Sequence, residues 1–155
     1  MKMKKFINDP SNLTTELLEG YTLAHKDLVY LDTDNKVVSR KLEGADRVAI
    51  VSMGGAGHEP ALSGFVGEGM CDICVVGEVF AAPGPLPCLD ALRMADQGKG
   101  VLYIVFNHAG DMLSANVAMK HAKKENLNVL KVVAQEDISN APRERLSRGA
   151  LEMSS

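Results

Sequence analysis

Several signatures that would place this 155-residue chain in a familiar class are missing. No apolar run approaches the roughly 20 residues that span a bilayer. Met1-Lys2-Met3-Lys4-Lys5 is basic, but no apolar signal core follows it, so the expected location is cytoplasmic. With 17 basic and 20 acidic residues the net charge is −3, which leaves no basic footprint for nucleic acid. Three cysteines cannot all pair within one chain. Cys71 and Cys74 have redox or zinc spacing, yet Cys71-Asp72-Ile73-Cys74-Val75-Val76 reads as a strand. Side chains three apart on a strand point to opposite faces, so a shared metal is not expected and buried thiols are. No repeat, low-complexity tract or internal linker interrupts the chain. Hydrophobic content of 46% and charged content of 24% suit one globular domain.

What is there centres on Met53-Gly54-Gly55-Ala56-Gly57-His58-Glu59-Pro60. Ahead of it Arg47 to Ser52 is a short β-branched run that reads as a buried strand. Three glycines in four positions free the backbone to turn and to close on a ligand. A strand ending in such a turn puts His58 at the carboxyl edge of a sheet, where ligands of open α/β sheets bind. The better-known glycine loops do not fit. No Gly-Lys-Ser/Thr follows, so this is not a P-loop. Pro60 stands where the dinucleotide fingerprint has its third glycine. Leu62 stands where a zinc protease has its second histidine. A tight strand-to-helix turn whose histidine only caps or packs is the structural alternative.

Asn12 or Ser11 is placed to cap a helix with Leu13, Leu17, Tyr21 and Ala24 on one face. Two short apolar runs, Leu28–Leu31 and Lys36–Arg40, flank the turn-rich Asp32-Thr33-Asp34-Asn35 and suggest a hairpin. Strands are expected near 47–52, 72–77, 101–106 and 128–134, with helices near 87–97 and 112–125. Four apolar strands alternating with helices argue for an α/β fold: a mostly parallel sheet with helices on both faces, plus the amino-terminal helix and hairpin. Ala81-Ala82-Pro83-Gly84-Pro85-Leu86-Pro87 is a stiff connection that cannot enter a sheet interior. In Phe106-Asn107-His108-Ala109-Gly110-Asp111 the aspartate is either a helix N-cap or a base within reach of a substrate hydroxyl.

Met53 to Pro60 resembles the Gly-Gly-Gly-Ser-Gly-His-Glu-Pro signature of the dihydroxyacetone kinase family, in its ketose-binding K subunit or domain. Lys5-Phe6-Ile7-Asn8-Asp9-Pro10 is similar to that family's opening, and Gly64 to Met70 to the segment after the signature. Gly77-Glu78-Val79-Phe80 with Pro83 resembles its next loop. Asn107 with Gly110-Asp111 resembles its Lys-Asn-Tyr-Thr-Gly-Asp motif, and Gln135 to Gly149 its sequence after the fourth strand. The likeness covers almost the whole chain and implies residues 1–155 are the amino-terminal part of a longer K-type domain whose second half is absent.

The resemblance assigns catalytic roles to His58, as the acid–base group assisting ketone capture, and to Asp111, as the base for the hydroxyl to be phosphorylated. Gly54, Gly55, Asn107 and His108 match substrate-binding positions, with Glu59 and Glu78 as further polar candidates, and loop 81–87 borders the ketose site. The family's covalent histidine, which holds the ketone as a hemiaminal, belongs beyond residue 155; His25, His108 and His121 do not match its context. No metal site and no cofactor bound by this chain are implied. Phosphate comes from ATP or a phosphotransferase-system donor through a nucleotide-binding L-type subunit. The other implied partners are the carboxyl-terminal half of the K subunit and a second copy in a homodimer.

The departures are as specific as the matches. Met53 and Ala56 replace a signature glycine and serine. Phe106, His108 and Ala109 replace lysine, tyrosine and threonine, and Ala81 and Ala82 replace hydroxyl residues. Two classes of function stay open: the ketose-binding part of a dihydroxyacetone-type kinase, for dihydroxyacetone or a larger ketose such as erythrulose, or a non-catalytic ketose-sensing paralogue that regulates a partner.

Overall fold

The computed structural model describes residues 4–135 except 43 and 45. Its frame is one six-stranded sheet in the order β1-β2-β4-β3-β5-β6. The strands are β1 (Tyr30–Asp32), β2 (Val37–Ser39), β3 (Ala49–Ala56), β4 (Ile73–Val79), β5 (Val101–Phe106) and β6 (Val129–Ala134). β4, β3, β5 and β6 run parallel, while the β1–β2 hairpin adds antiparallel to β4. The hairpin turn is held by Asp32, whose carboxylate accepts from the backbone N–H groups of Asp34 and Asn35.

The expected alternation of strands and helices is present. α2 (Pro85–Ala95) joins β4 to β5, and α3 (Ala109–Lys124) joins β5 to β6. Both lie on one face of the sheet. There Leu89, Leu92 and Ala95 of α2 and Ala115, Ala118 and Ala122 of α3 are buried with Val51, Val75 and Tyr103. The alanines let α3 approach closely, and each buried leucine contributes about 2 kcal/mol by leaving water. α2 starts at Pro85, earlier than the expected 87, because proline at the first helical position lacks only an N–H that would be unpaired there. Gly98 and Gly100, with φ of +90° each, carry the chain from the helix into β5.

The other face is covered over β2–β4 by α1 (Leu13–Ala24) and the 57–72 connection, which form a second core around Leu18, Val38, Cys74 and Val76. The buried stripe of α1 differs from the expected one: Thr14 and Leu18 face inward and Leu17 is 38% exposed. Leu17 and Leu18 are adjacent, so both registers satisfy a 3.6-residue period, and only the sheet selects between them. Neither Asn12 nor Ser11 caps α1. Asp9 accepts from the Ser11 N–H and hydroxyl in the preceding 3-10 turn, and Asn12 makes no side-chain cap.

Cys71 and Cys74 do not point to opposite faces. Cys71 precedes the strand, joined only by an isolated bridge to Val66, and both thiols pack into the α1-side core near Ser52. The expectation treated 71–76 as uniformly extended, whereas β4 begins at Ile73. Burial pushes the Cys74 thiol up to about 12, so it is inert at neutral pH. Asp72, fully buried at the amino-terminal edge, is gripped by Arg47 through both guanidinium nitrogens. The Ile50 N–H adds a bond at 2.8 Å, and Arg40 lies 3.0 Å away. This clamp fastens the sheet at the end away from the candidate site.

Candidate functional site

β3 and β5 are neighbours whose following connections diverge, β3 toward β4 and β5 toward β6. Their ladder stops at Ser52 opposite Ile104, although β3 continues beside β4 to Ala56 and β5 beside β6 to Phe106. A crevice therefore opens between the carboxyl ends of β3 and β5, the position at which open α/β sheets bind ligands. It holds a cavity of about 290 Å³. His58 arrives from the end of β3, Phe80, Ala81 and Ala82 from the end of β4, and Phe106, His108 and Asp111 from β5 and the first turn of α3.

The glycine stretch is not the turn its sequence suggests. β3 runs through Gly54 and Gly55 to Ala56, a 3-10 turn at Ser63–Phe65 takes the place of an immediate helix, and His58 stands two residues beyond the strand. Gly54 and Gly55 line the cavity. Their missing side chains make room for protein as well as ligand. A Cβ on Gly55 would lie 2.8 Å from the Ala81 N, and one on Gly54 would lie 2.8 Å from a Leu62 methyl. The glycines thus let the 80–82 loop and Leu62 pack against the strand end, where they line the cavity.

His58 is half-buried, its ring edge-on to Phe80 at a centroid separation of 5.1 Å. His108 likewise stands edge-on to Phe106 at 6.4 Å. Asp111 is 8% exposed. It is the third residue of α3, not its cap; His108 occupies the cap position and makes no side-chain capping bond. The helix begins three residues earlier than expected because Ala109 and Gly110 form its first turn. Burial raises the Asp111 carboxyl to about 6, and the nearby His108 charge opposes that rise. Its Oδ1 is buried with no hydrogen-bond partner in the protein. A buried, unpaired acceptor facing a cavity, titrating close to neutrality, is suited to accept a proton from a bound hydroxyl.

Five of the six sequence-derived site residues converge on this cavity: Gly54, Gly55, His58, His108 and Asp111. Asn107 is not among the lining residues; its backbone N–H donates to the Ala134 carbonyl at 3.0 Å, continuing the β5–β6 ladder. Glu59 and Glu78 are turned elsewhere. The Glu59 carboxylate accepts from the Gly57 N–H at 3.1 Å, and Glu78 pairs with Lys36 at 2.8 Å. Loop 81–82 lines the cavity, whereas Leu62 and Phe80 escaped sequence reasoning. Each is brought in by a loop whose path no local pattern specifies. The atypical residues divide: Phe106, His108, Ala109, Ala81 and Ala82 border the cavity, while Met53 and Ala56 are buried in the two cores. Among the described residues no three His, Cys, Asp or Glu side chains converge as a metal site requires. No helix among them is long and apolar enough to cross a membrane.

A mostly parallel α/β sheet with a histidine and a buried carboxyl lining one switch-point crevice has the architecture in which open α/β sheets bind small ligands. Residues 19–150 match the Dak1 domain, and the chain belongs to that family. It is 39% identical over 139 residues to the dihydroxyacetone-binding subunit DhaK of the PTS-dependent dihydroxyacetone kinase of Lactococcus lactis, covering 90% of this chain and 42% of that one. It is 36% identical over 135 residues to the DhaKLM operon coactivator DhaQ of the same organism, covering 87% and 41%. The structure superposes on the dihydroxyacetone kinase from C. freundii in complex with AMP-PNP and Mg2+ with a TM-score of 0.86, at 32% identity, over 96% of this chain and 28% of that one. The chain thus spans less than half the length of these relatives.

Proposed function

We propose that this chain is the amino-terminal part of a K-type domain, binding a small ketose and positioning it for phosphorylation by a partner subunit. The observation that carries the reading is the buried Asp111 carboxyl, its Oδ1 unpaired, lining the same crevice as His58 in a chain of the Dak1 family. In this reading Asp111 takes the proton of the hydroxyl that receives the phosphoryl group, and His58 exchanges a proton with the carbonyl oxygen. The backbone of Gly54 and Gly55, with His108, orients the ligand; Asn107 supports the turn that carries His108. The nucleotide, or a phosphotransferase-system donor, is held by an L-type partner. A carboxyl-terminal K half supplies the covalent histidine, and the assembly is a cytoplasmic homodimer.

The apolar replacements at the cavity wall favour a ketose longer than dihydroxyacetone, such as erythrulose, because added carbons find contacts there while lost donors weaken the smallest polyol most. The test is steady-state phosphorylation with an L-type subunit, a phosphate donor and a complete K-type chain carrying this sequence. Turnover of erythrulose with higher kcat/KM than dihydroxyacetone is expected, with no turnover by this chain alone. Activity of the isolated chain with ATP, or a clear preference for dihydroxyacetone, contradicts the assignment. The second reading, a ketose sensor, is favoured by the same apolar wall and by the likeness to a coactivator. It predicts ketose binding without phosphorylation in the complete assembly.

A further inference from the structure

On the α2–α3 side of the sheet a buried donor and a buried acceptor lie within electrostatic reach of each other and do not pair. Tyr103 is fully enclosed, so its hydroxyl needs a partner inside the protein. It donates to Met53 Sδ at 2.7 Å and is also engaged by the Cys88 thiol. That thiol in turn donates toward Met53 Sδ at 4.0 Å. From the first turn of α3 the Asp111 charge acts on both Tyr103 and Cys88. Yet Asp111 Oδ1 is buried with no hydrogen-bond partner. A carboxylate oxygen is a strong acceptor, and a thioether is a weak one. The Tyr103 hydroxyl is thus committed to the weaker acceptor while the stronger goes unpaired. The group that commits it is the sulfur of Met53, itself fully buried on β3.

We infer that Met53 is a positioning residue for Asp111: its thioether holds the Tyr103 hydroxyl in the core and so keeps that donor off the carboxyl that lines the cavity. This deepens the proposed function, in which Asp111 is the base, because a carboxylate that already accepts a core hydroxyl takes a substrate proton less readily. A hydrogen bond donated to a carboxylate favours its charged form. From a hydroxyl it raises the acid dissociation constant by about ten- to hundredfold. The ionisable groups around Asp111 are His108 at the start of α3, Cys88 of α2, Tyr103 of β5 and His58 in the same cavity. None of them donates to Oδ1.

The test is carboxyl-carbon NMR titration of Asp111 in the chain with labelled aspartate, the resonance identified by its loss in Asp111→Asn. Met53→Leu conserves volume and removes the acceptor. The released hydroxyl is expected to move to Asp111 and raise its acid dissociation constant by about tenfold or more. Tyr103→Phe alone is expected to leave that constant within about twofold of the parent, and to restore it to the parent value when added to Met53→Leu. A merely structural role for Met53 produces no such recovery. Met53→Ile, β-branched and suited to β3, serves in place of a leucine variant that does not fold. A titration that Met53→Leu does not move, or that stays shifted in the double variant, overturns the inference without any ligand. Phosphotransfer by the complete assembly bears separately on the ketose reading. If Asp111 is the base, the acidic limb of its pH profile moves down with the titration; a limb that stays in place while the titration moves supports the inference and removes Asp111 as the base.

Discussion

Asp111→Asn should stabilise the protein at neutral pH while removing its proposed chemistry. The carboxyl is 8% exposed and is raised by burial to about 6 from an ordinary 3.8. A shift of about two units corresponds to about 3 kcal/mol between the protonation states. Because the folded-state value is above the unfolded one, the stability belongs to the neutral form. It is present in full below about pH 4 and lost as pH rises through about 6. At pH 7.5 the native state carries the ionised group against that cost, and the isosteric amide does not. The substitution also forfeits the attraction of a carboxylate to the amino terminus of α3, about 0.5–1 kcal/mol. The net gain expected is about 2 kcal/mol, or about 5 °C in Tm for a domain of this size. Urea unfolding followed by circular dichroism at pH 4, 5, 6 and 7.5 measures it. The two proteins should coincide near pH 4 and separate between 5 and 7. A variant that is less stable at pH 7.5, or a difference that does not vary with pH, would show that Asp111 is a paired structural carboxylate. Phosphotransfer by the assembled enzyme should fall on an acidic limb near pH 6 and be abolished in the variant, as expected where a functional group is kept at the expense of stability.

Asp72→Asn probes the opposite end of the sheet and has the opposite sign. Burial alone would raise that carboxyl, but hydrogen bonds from Arg47 and the Ile50 N–H, with the charges of Arg47 and Arg40, hold it below its ordinary range. Its contribution is therefore present above about pH 4 and lost as pH falls further. The variant should lose about 3 kcal/mol at pH 7 in denaturant unfolding and converge on the parent near pH 3; a loss under about 1 kcal/mol would mean the arginines are satisfied by water. Gly77→Ala should displace the cavity loop, because its Cβ would lie 2.0 Å from the Ala81 carbonyl oxygen. About 3 kcal/mol of stability and most ketose binding should be lost, against a change within about 0.5 kcal/mol for Gly67→Ala, where a Cβ meets nothing within 4 Å. Equal effects of the two alanines in thermal unfolding would show that the loop yields.

The sequence alone determined the element order, the hairpin, the four parallel strands and the edge at which His58 and Asp111 stand. Each depends on short-range chemistry: β-branched runs, helical periods, turn residues and the rule that parallel sheets bind at their carboxyl ends. Tertiary structure decided the rest. Whether Leu17 or Leu18 faces the sheet depends on which stripe another element covers, because both fit one helix. Whether Gly54 and Gly55 turn or extend depends on β4 pairing with them as far as Val79. Phe80 and Leu62 become cavity walls only once separate loops meet over β3. The raised Asp111 carboxyl belongs to this second category, since it arises from a burial no neighbouring residue dictates. Seen in sequence, Met53, Ala56 and Phe106 are equivalent departures from one pattern. The sheet separates them, sending the first two into its cores and leaving the third at the cavity wall.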